Sequence, residues 1–521
     1  MNTGKAPPHP RTWPASASLH AKASPKRRSW QHVGVTLVAL LLAIGLAGCT
    51  TGVNPVTGNT RAYGYTWEQE QELGTQADKQ IQNQYGIYDD EQVQAYVDSL
   101  GQAILAHSHM RRADTPARFR NTEFTFRVLD SPIINAFALP GGYVYITRGL
   151  LAHQNNEAQL AMVIGHEIAH VAARHASQQA AKQQFAQLGL IAGAIGGELA
   201  GFSGGNILQL GGQAAQLLFL SYSRENEREA DRLGVEYAAL DGYQSGEGAA
   251  FFRTLERIQE QSGQSIPSWQ STHPDPGERE QTILQLAEEW RARTEMTKLQ
   301  QASLYRRLGG VVLGDNPRQG FVQNDVFYHP DLRFQFPTPP SFSVTNQPRQ
   351  VMMVAENQQA VLQFAIAQEE TARAAAQQIA SIEGATVVEQ GPMRAGSLSG
   401  YSVVVDVPTQ EGQVVRARQF SVPYDGNVYN FLGYALRDQF STYRGPFLET
   451  MRGFASLSDP DILNVQPTRL VLQQVTQPAP FDRFVPSTLP ESLSPQRLAI
   501  LNQVGINQQM ESSRVLKLPG Q

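Results

Sequence analysis

Residues 164–170, Ile-Gly-His-Glu-Ile-Ala-His, set two imidazoles and a carboxylate inside an otherwise apolar helical run. That run predicts a helix from Asn156 to about Ala186, opened by Asn155 or Asn156 as its cap. On it His166 and His170 stand one turn apart on one face, the spacing at which two imidazoles reach a single tetrahedral ion. Glu167 projects about 100° away around the helix axis. It is near enough to hold a water without ligating. Charged groups are expensive to bury alone, so this helix needs a second element that brings further donors to it.

A hydrolytic metal site has three protein ligands and one open position. The third ligand is sought in residues 223–231, SRENEREAD, with Glu225, Glu227, Glu229 and Asp231 at every second position. On a helix over 222–240, residues four apart share a face. Glu225 and Glu229 lie with Arg232 and Glu236 and read as a solvated charged face. Glu227 and Asp231 lie with Ala230, Gly234 and Ala238, small residues that let another helix approach closely. Glu227 is therefore the expected third ligand, with Asp231 accepting a histidine N–H; the alternative is an inward ion pair with an arginine such as Arg174. His273, in Ser271-Thr272-His273-Pro274, is the other histidine of note, although spacing alone gives it no duty. His175 reads as roughly opposite His166, and His107, His109, His153 and His329 are expected at the surface.

With 521 residues, two or three domains are expected. The net charge of -5 and the lack of a basic stripe argue against a nucleic-acid partner. Residues 1–49 contain no acid, carry Lys5, Arg11, Lys22, Lys26, Arg27 and Arg28, and end in an apolar run from Val33 to Gly48. That run is short for a bilayer span and reads as an export signal. Cys49, the only cysteine, closes Leu46-Ala47-Gly48-Cys49, which resembles the lipobox of bacterial lipoproteins. The following Thr-Thr-Gly-Val-Asn-Pro reads as a solvated tether. By resemblance to the sorting rule, Thr50 implies an outer-membrane anchor facing the periplasm.

Helical spacing runs from Trp67 to about Ile104, a strand is expected over Phe124 to Leu129, and another over Tyr143 to Thr147 after a Pro-Gly-Gly turn. Tyr143, Val144 and Tyr145 are the expected substrate-pairing residues of that strand. The glycine-rich stretch 189–219 reads as a mobile hairpin or lid rather than a membrane span. Two more helical stretches follow to about Arg307. After Gly309, alternating segments, an Asp425-Gly426 hairpin turn and two helices predict a separate α+β domain over 325–460. A small module is expected over 465–521, with a short helix near Pro495 to Val504.

H-E-x-x-H followed by Ser223-Arg224, Glu227 and Ala230-Asp231 resembles the gluzincins of metallopeptidase family forty-eight, relatives of the CaaX prenyl protease and HtpX. The likeness starts near Asn54-Pro55-Val56-Thr57-Gly58, includes Asn135 to Arg148, and reaches His273-Pro274. It implies a mostly helical peptidase domain over 50–310 with a small edge-strand sheet, in an α+β chain. It also implies one zinc ion on His166, His170 and Glu227, Glu167 as catalytic base, and His273 as a reversible fourth ligand or catalytic donor beside Asp231. Quality-control members of the family carry helical repeats after the peptidase. Here the following domain is strand-rich, similar to PsbP/Mog1-like folds, and the tail is similar to a LysM-like module. The expected function is an envelope endopeptidase acting on unfolded or misassembled proteins, with the outer-membrane assembly machinery as a partner. The rivals are a chaperone or assembly factor with a vestigial site and a zinc hydrolase acting on peptidoglycan.

Overall fold

The computed structural model describes residues 50–183, 222–262, 273, 278–409, 412–490 and 493–520. The export-signal segment, Cys49 and the glycine-rich stretch 189–219 lie outside the described residues. The chain is α+β, with helices dominating the first half and strands the second.

The expected tether is instead a hairpin. β1 (Thr50–Val53) pairs antiparallel with β2 (Thr60–Tyr63). Its turn is built by Asn54, whose Oδ1 accepts from the backbone N–H of Val56 at 2.9 Å and Thr57 at 3.0 Å, and by Gly58 in the left-handed region at φ 69°. Asn54 Nδ2 donates to Ala173 O at 3.1 Å, so the polar residues that suggested solvent fasten the hairpin to the protein.

The first long helix divides in two. α1 (Trp67–Tyr85) opens on a Thr66/Gln69 capping box and α2 (Glu91–Ala106) on Asp90. They enclose a three-stranded sheet of β3 (Thr125–Leu129), β4 (Ala136–Leu139) and β5 (Tyr143–Thr147), in the order β3-β5-β4. Alternation assigns Ala136, Ala138, Val144 and Ile146 to the main core. Leu129, Leu139 and Tyr145 face Ala77 and Ile81 of α1.

After α3 (Arg148–His153) comes α4 (Glu157–Ala172), capped by Asn156 and buried along its whole length. A helix enclosed on all sides has no polar stripe, which is why His166, Glu167 and His170 stand out in it. α4 is shorter than its spacing predicts. Arg174 turns left-handed at φ 60°, held by Glu70, which accepts from its Nε at 3.0 Å and from a terminal nitrogen at 2.6 Å. Helical backbone resumes at His175.

α5 (Arg224–Leu240) crosses α4 where two glycines meet. A Cβ at Gly234 would stand 2.8 Å from His166 N, and one at Gly165 would stand 2.9 Å from Gly234 O. Among the described residues three helices follow rather than two: α6 (Gly248–Ser262), α7 (Arg279–Arg291) and α8 (Gln301–Leu308).

The strand-rich region holds a four-stranded sheet and a seven-stranded antiparallel one. The latter includes three strands the spacing did not predict, Phe342–Gln347, Gln350–Ala355 and Thr386–Ala395. Asp425 and Gly426 turn its hairpin with positive φ of 46° and 81°. In the tail, Arg469–Gln474 pairs with Val515–Gly520. Leu470, Phe481, Leu498, Leu501, Leu516 and Leu518 join the same hydrophobic core as α2 and α4. Lys517, fully buried, donates to Ala152 O and Gln154 O at 2.7 and 3.0 Å.

Candidate metal centre

Ser223 caps α5 and fixes its first turn, so Glu227 and Asp231 both meet α4 at the glycine crossing. Nε2 of His166 and Nε2 of His170 are 2.9 Å apart. Glu227 puts Oε2 3.6 Å from the first and Oε1 3.5 Å from the second. His273 adds Nδ1, 3.1 Å from both Glu227 oxygens and 3.3 Å from His166 Nε2. These four buried side chains could hold a metal ion. A tetrahedral ion with bonds of about 2.0–2.1 Å spaces its ligand atoms by roughly 3.4 Å, close to the separations here.

The donor set itself fits a cation. Asp231 Oδ1 lies 3.0 Å from His166 Nδ1 and, as a carboxylate, only accepts. The His166 proton therefore sits on Nδ1 and its lone pair on Nε2, facing the Nε2 of His170 across a short gap. That lone pair can accept a proton from His170 or bind a cation placed between the two rings. Burial alone would lower the His166 pKa, but hydrogen bonds to Asp231 and Glu227 raise it to about 9. The pocket thus attracts a positive charge, which a proton or a metal ion can supply. Burial would likewise raise Glu227 and Asp231, yet His273 and Arg279 hold Glu227 well below the usual carboxylate range, and Arg279 and His166 hold Asp231 below its own.

Glu167 stands apart from the donors. It is fully buried, and among the described residues neither of its carboxylate oxygens accepts a hydrogen bond. His273 Nε2 is 3.5 Å from its Oε1. Burial raises its pKa, against the opposing pull of His273 and His166. A carboxyl so placed suits proton transfer.

Sequence reasoning missed Arg279, the arginine beside the inward acids. It donates to Asp231 Oδ2 from Nε at 2.8 Å and to Oδ1 at 2.6 Å, lies 3.0 Å from Glu227 Oε2, and stacks 4.2 Å from the Phe252 ring centroid. Arg174, the arginine first considered, is spent on Glu70. The signal for Arg279 was its place at the first residue of α7, six positions after His273. Also missed was Tyr222, whose ring stacks on His170 with centroids 4.0 Å apart.

Three expectations are corrected. β5 is the central strand, parallel to β3 and antiparallel to β4. Both its sides are hydrogen-bonded, and Val144 and Tyr145 are fully buried, so residues 143–145 cannot accept an added strand. The β3 edge is occupied by Gln94, which bonds Val128 N and O, and by Ile87. Among the described residues that leaves the β4 edge, beside α4. His109 is buried, its Nδ1 2.8 Å from the Tyr237 hydroxyl. Glu229 leaves the solvated face, with Oε2 3.2 Å from His175 Nε2.

The model of peptidase family M48 matches residues 87–287, which contain every donor described above. Over those residues the chain is similar to the peptidases of family M48. Among its relatives, beta-barrel assembly-enhancing protease of Escherichia coli is 29% identical over 40% of this chain and 42% of its own length. Mitochondrial metalloendopeptidase OMA1 of Danio rerio is 30% identical over 52% of this chain and 58% of its own. The chain spans about half the length of the curated relatives it matches. Solved structures of PsbP from Synechocystis and Mog1p from Saccharomyces cerevisiae align with 25% and 27% of this chain, each at 11% identity, with TM-scores of 0.21 and 0.20. Scores that low carry no argument about the strand-rich region.

Proposed function

We propose that this chain is a zinc-dependent endopeptidase of the bacterial cell envelope, cutting misfolded or misassembled polypeptides. The observation that carries the reading is the convergence of His166, His170, Glu227 and His273 on one point with the buried carboxylate of Glu167 beside it. In this reading His166, His170 and Glu227 hold one zinc ion, and His273 is a fourth donor that yields its place to substrate. Bound zinc supplies Lewis acidity, acidifying water and polarising a peptide carbonyl.

The protein's own groups supply the rest. Glu167 takes the proton of the attacking water on a carboxylate oxygen and hands it to the leaving amine nitrogen. Asp231 keeps the His166 proton on Nδ1, and Arg279 clamps Asp231 and Glu227 together so both carboxylates stay oriented. Extended substrate pairs antiparallel along the β4 edge, through backbone groups that demand little of its sequence. That selectivity suits unfolded chains, and a relative named for enhancing β-barrel assembly supports an envelope substrate and the outer-membrane assembly machinery as partner.

Lipidation at Cys49 would anchor the chain in the outer membrane, facing the periplasm. No helix among the described residues is long and apolar enough to cross a membrane. The test is Glu167→Gln in the full chain. Zinc should stay bound at one ion per chain while casein cleavage falls by about 10²–10⁴-fold; turnover at the wild-type rate would remove Glu167 from the chemistry.

A further inference from the structure

The break that ends α4 has a chemical result. In an unbroken helix His175 would sit about 140° around the axis from His170, since successive residues turn by about 100°. The left-handed Arg174 brings it back instead, and the two imidazoles meet with Nδ1 3.0 Å from Nδ1. The other nitrogen of His175, Nε2, lies 3.2 Å from Glu229 Oε2. His175 is fully buried, and Glu229 also has Arg61 at 3.9 Å.

Only one proton arrangement satisfies this row with neutral rings. Glu229 is a carboxylate and accepts, so His175 donates from Nε2. With its one proton there, His175 offers the Nδ1 lone pair to His170. His170 must then donate from Nδ1, which leaves its own lone pair on Nε2, the atom facing His166 and Glu227. We infer that Glu229, acting through His175, is a positioning residue that fixes the tautomer and the ring angle of His170 for metal binding. Asp231 does the same for His166 by direct contact. Two acids of one helix thus orient the two imidazoles of another, one directly and one through a relay, while Glu227 between them faces the ion. A partner in this position is commonly worth about 10–100-fold in metal affinity.

The inference rests on the zinc reading above, and its test separates the two. Zinc affinity of the full chain in detergent is measured by competition with a chromophoric chelator, and the visible spectrum of the cobalt(II)-loaded protein reports ligand geometry. Glu229→Ala should weaken zinc binding by about 10–100-fold and shift the cobalt bands, with circular dichroism unchanged. Glu229→Gln keeps an oxygen that accepts from His175 and should restore both readouts. His175→Ala should match Glu229→Ala, and the double variant should be no weaker than His175→Ala alone, because both remove one relay. Glu225→Ala, on the exposed side of α5, should change neither readout. Wild-type affinity and spectrum in both Glu229→Ala and His175→Ala would overturn the relay while leaving the metal centre standing. Failure of the wild-type chain to bind zinc would overturn the metal reading and the relay with it.

Discussion

The region around α4 and α5 buries a cluster of ionisable groups that the strand-rich region lacks. Around α4 and α5 the interior takes in His166, Glu167, His170, His175, Glu227, Asp231, His273 and Arg279. Between residues 321 and 456 the interior is an aromatic stack, with Phe334, Phe336, Phe364, Tyr429, Phe431 and Phe454 in mutual ring contact. Among the described residues, that region buries no carboxylate, and its one histidine, His329, is half-buried. Burying charge is costly unless something repays it. Concentrating eight such groups at one crossing marks where the chemistry resides, and an apolar core marks a part whose work must lie on its surface.

The sharpest way to break this comparison is a pair of variants. Glu227→Ala should drop bound zinc from one ion per chain to nearly none, measured by elemental analysis, with the fold kept. Phe336→Ala should destabilise the strand-rich region by about 3–5 kcal/mol and still bind one zinc below its melting temperature. Loss of zinc in a folded Phe336→Ala protein would show that the two regions do not divide the labour this way.

A smaller effect is expected at the helix crossing. Gly234→Leu has no room beside His166, and overpacking of this kind costs about 1–3 kcal/mol. By pushing α5 off α4 it should also weaken zinc binding, read by the same chelator competition. Unchanged affinity would mean that the crossing does not hold Glu227 in place.

The smallest effect is acid sensitivity, and it should appear in both regions. Burial lowers the pKa of His109, His153 and His329 to about 4 each. The unfolded chain therefore binds more protons than the folded one between pH 4 and about 6.5, and stability falls as pH falls through that window. Thermal melting should drop across it, and less steeply in His109→Gln. A melting temperature flat from pH 6.5 to 4 would contradict the burial of these rings.

Much of the centre was legible in the chain because its parts obey one period. His166 and His170 on α4, and Glu227 with Asp231 on α5, each lie four residues apart, and the small residues beside the acids named the face that meets another helix. What hid was set by backbone breaks and by distance along the chain. His175 escaped because periodicity assumes a continuous helix, and Arg174 interrupts this one. Glu229 went with it, since its partner seemed to point elsewhere. Arg279 comes from a different helix, where no spacing rule reaches. Strand order is likewise invisible to alternation, which found β5 but not that it lies in the middle. In the strand-rich region Phe334 and Phe336 alternated clearly, whereas the partly exposed pattern of Thr386–Ala395 gave period-two reasoning little to follow.

Everything turns on whether two helices and the His273 segment grip one ion. Anomalous diffraction at the zinc edge, from crystals of the zinc-loaded full chain, tests this most directly. One peak within bonding distance of Nε2 of His166, Nε2 of His170 and a carboxylate oxygen of Glu227 is the result expected. A peak that leaves Glu227 unbound, or no peak between the imidazoles, would contradict the account.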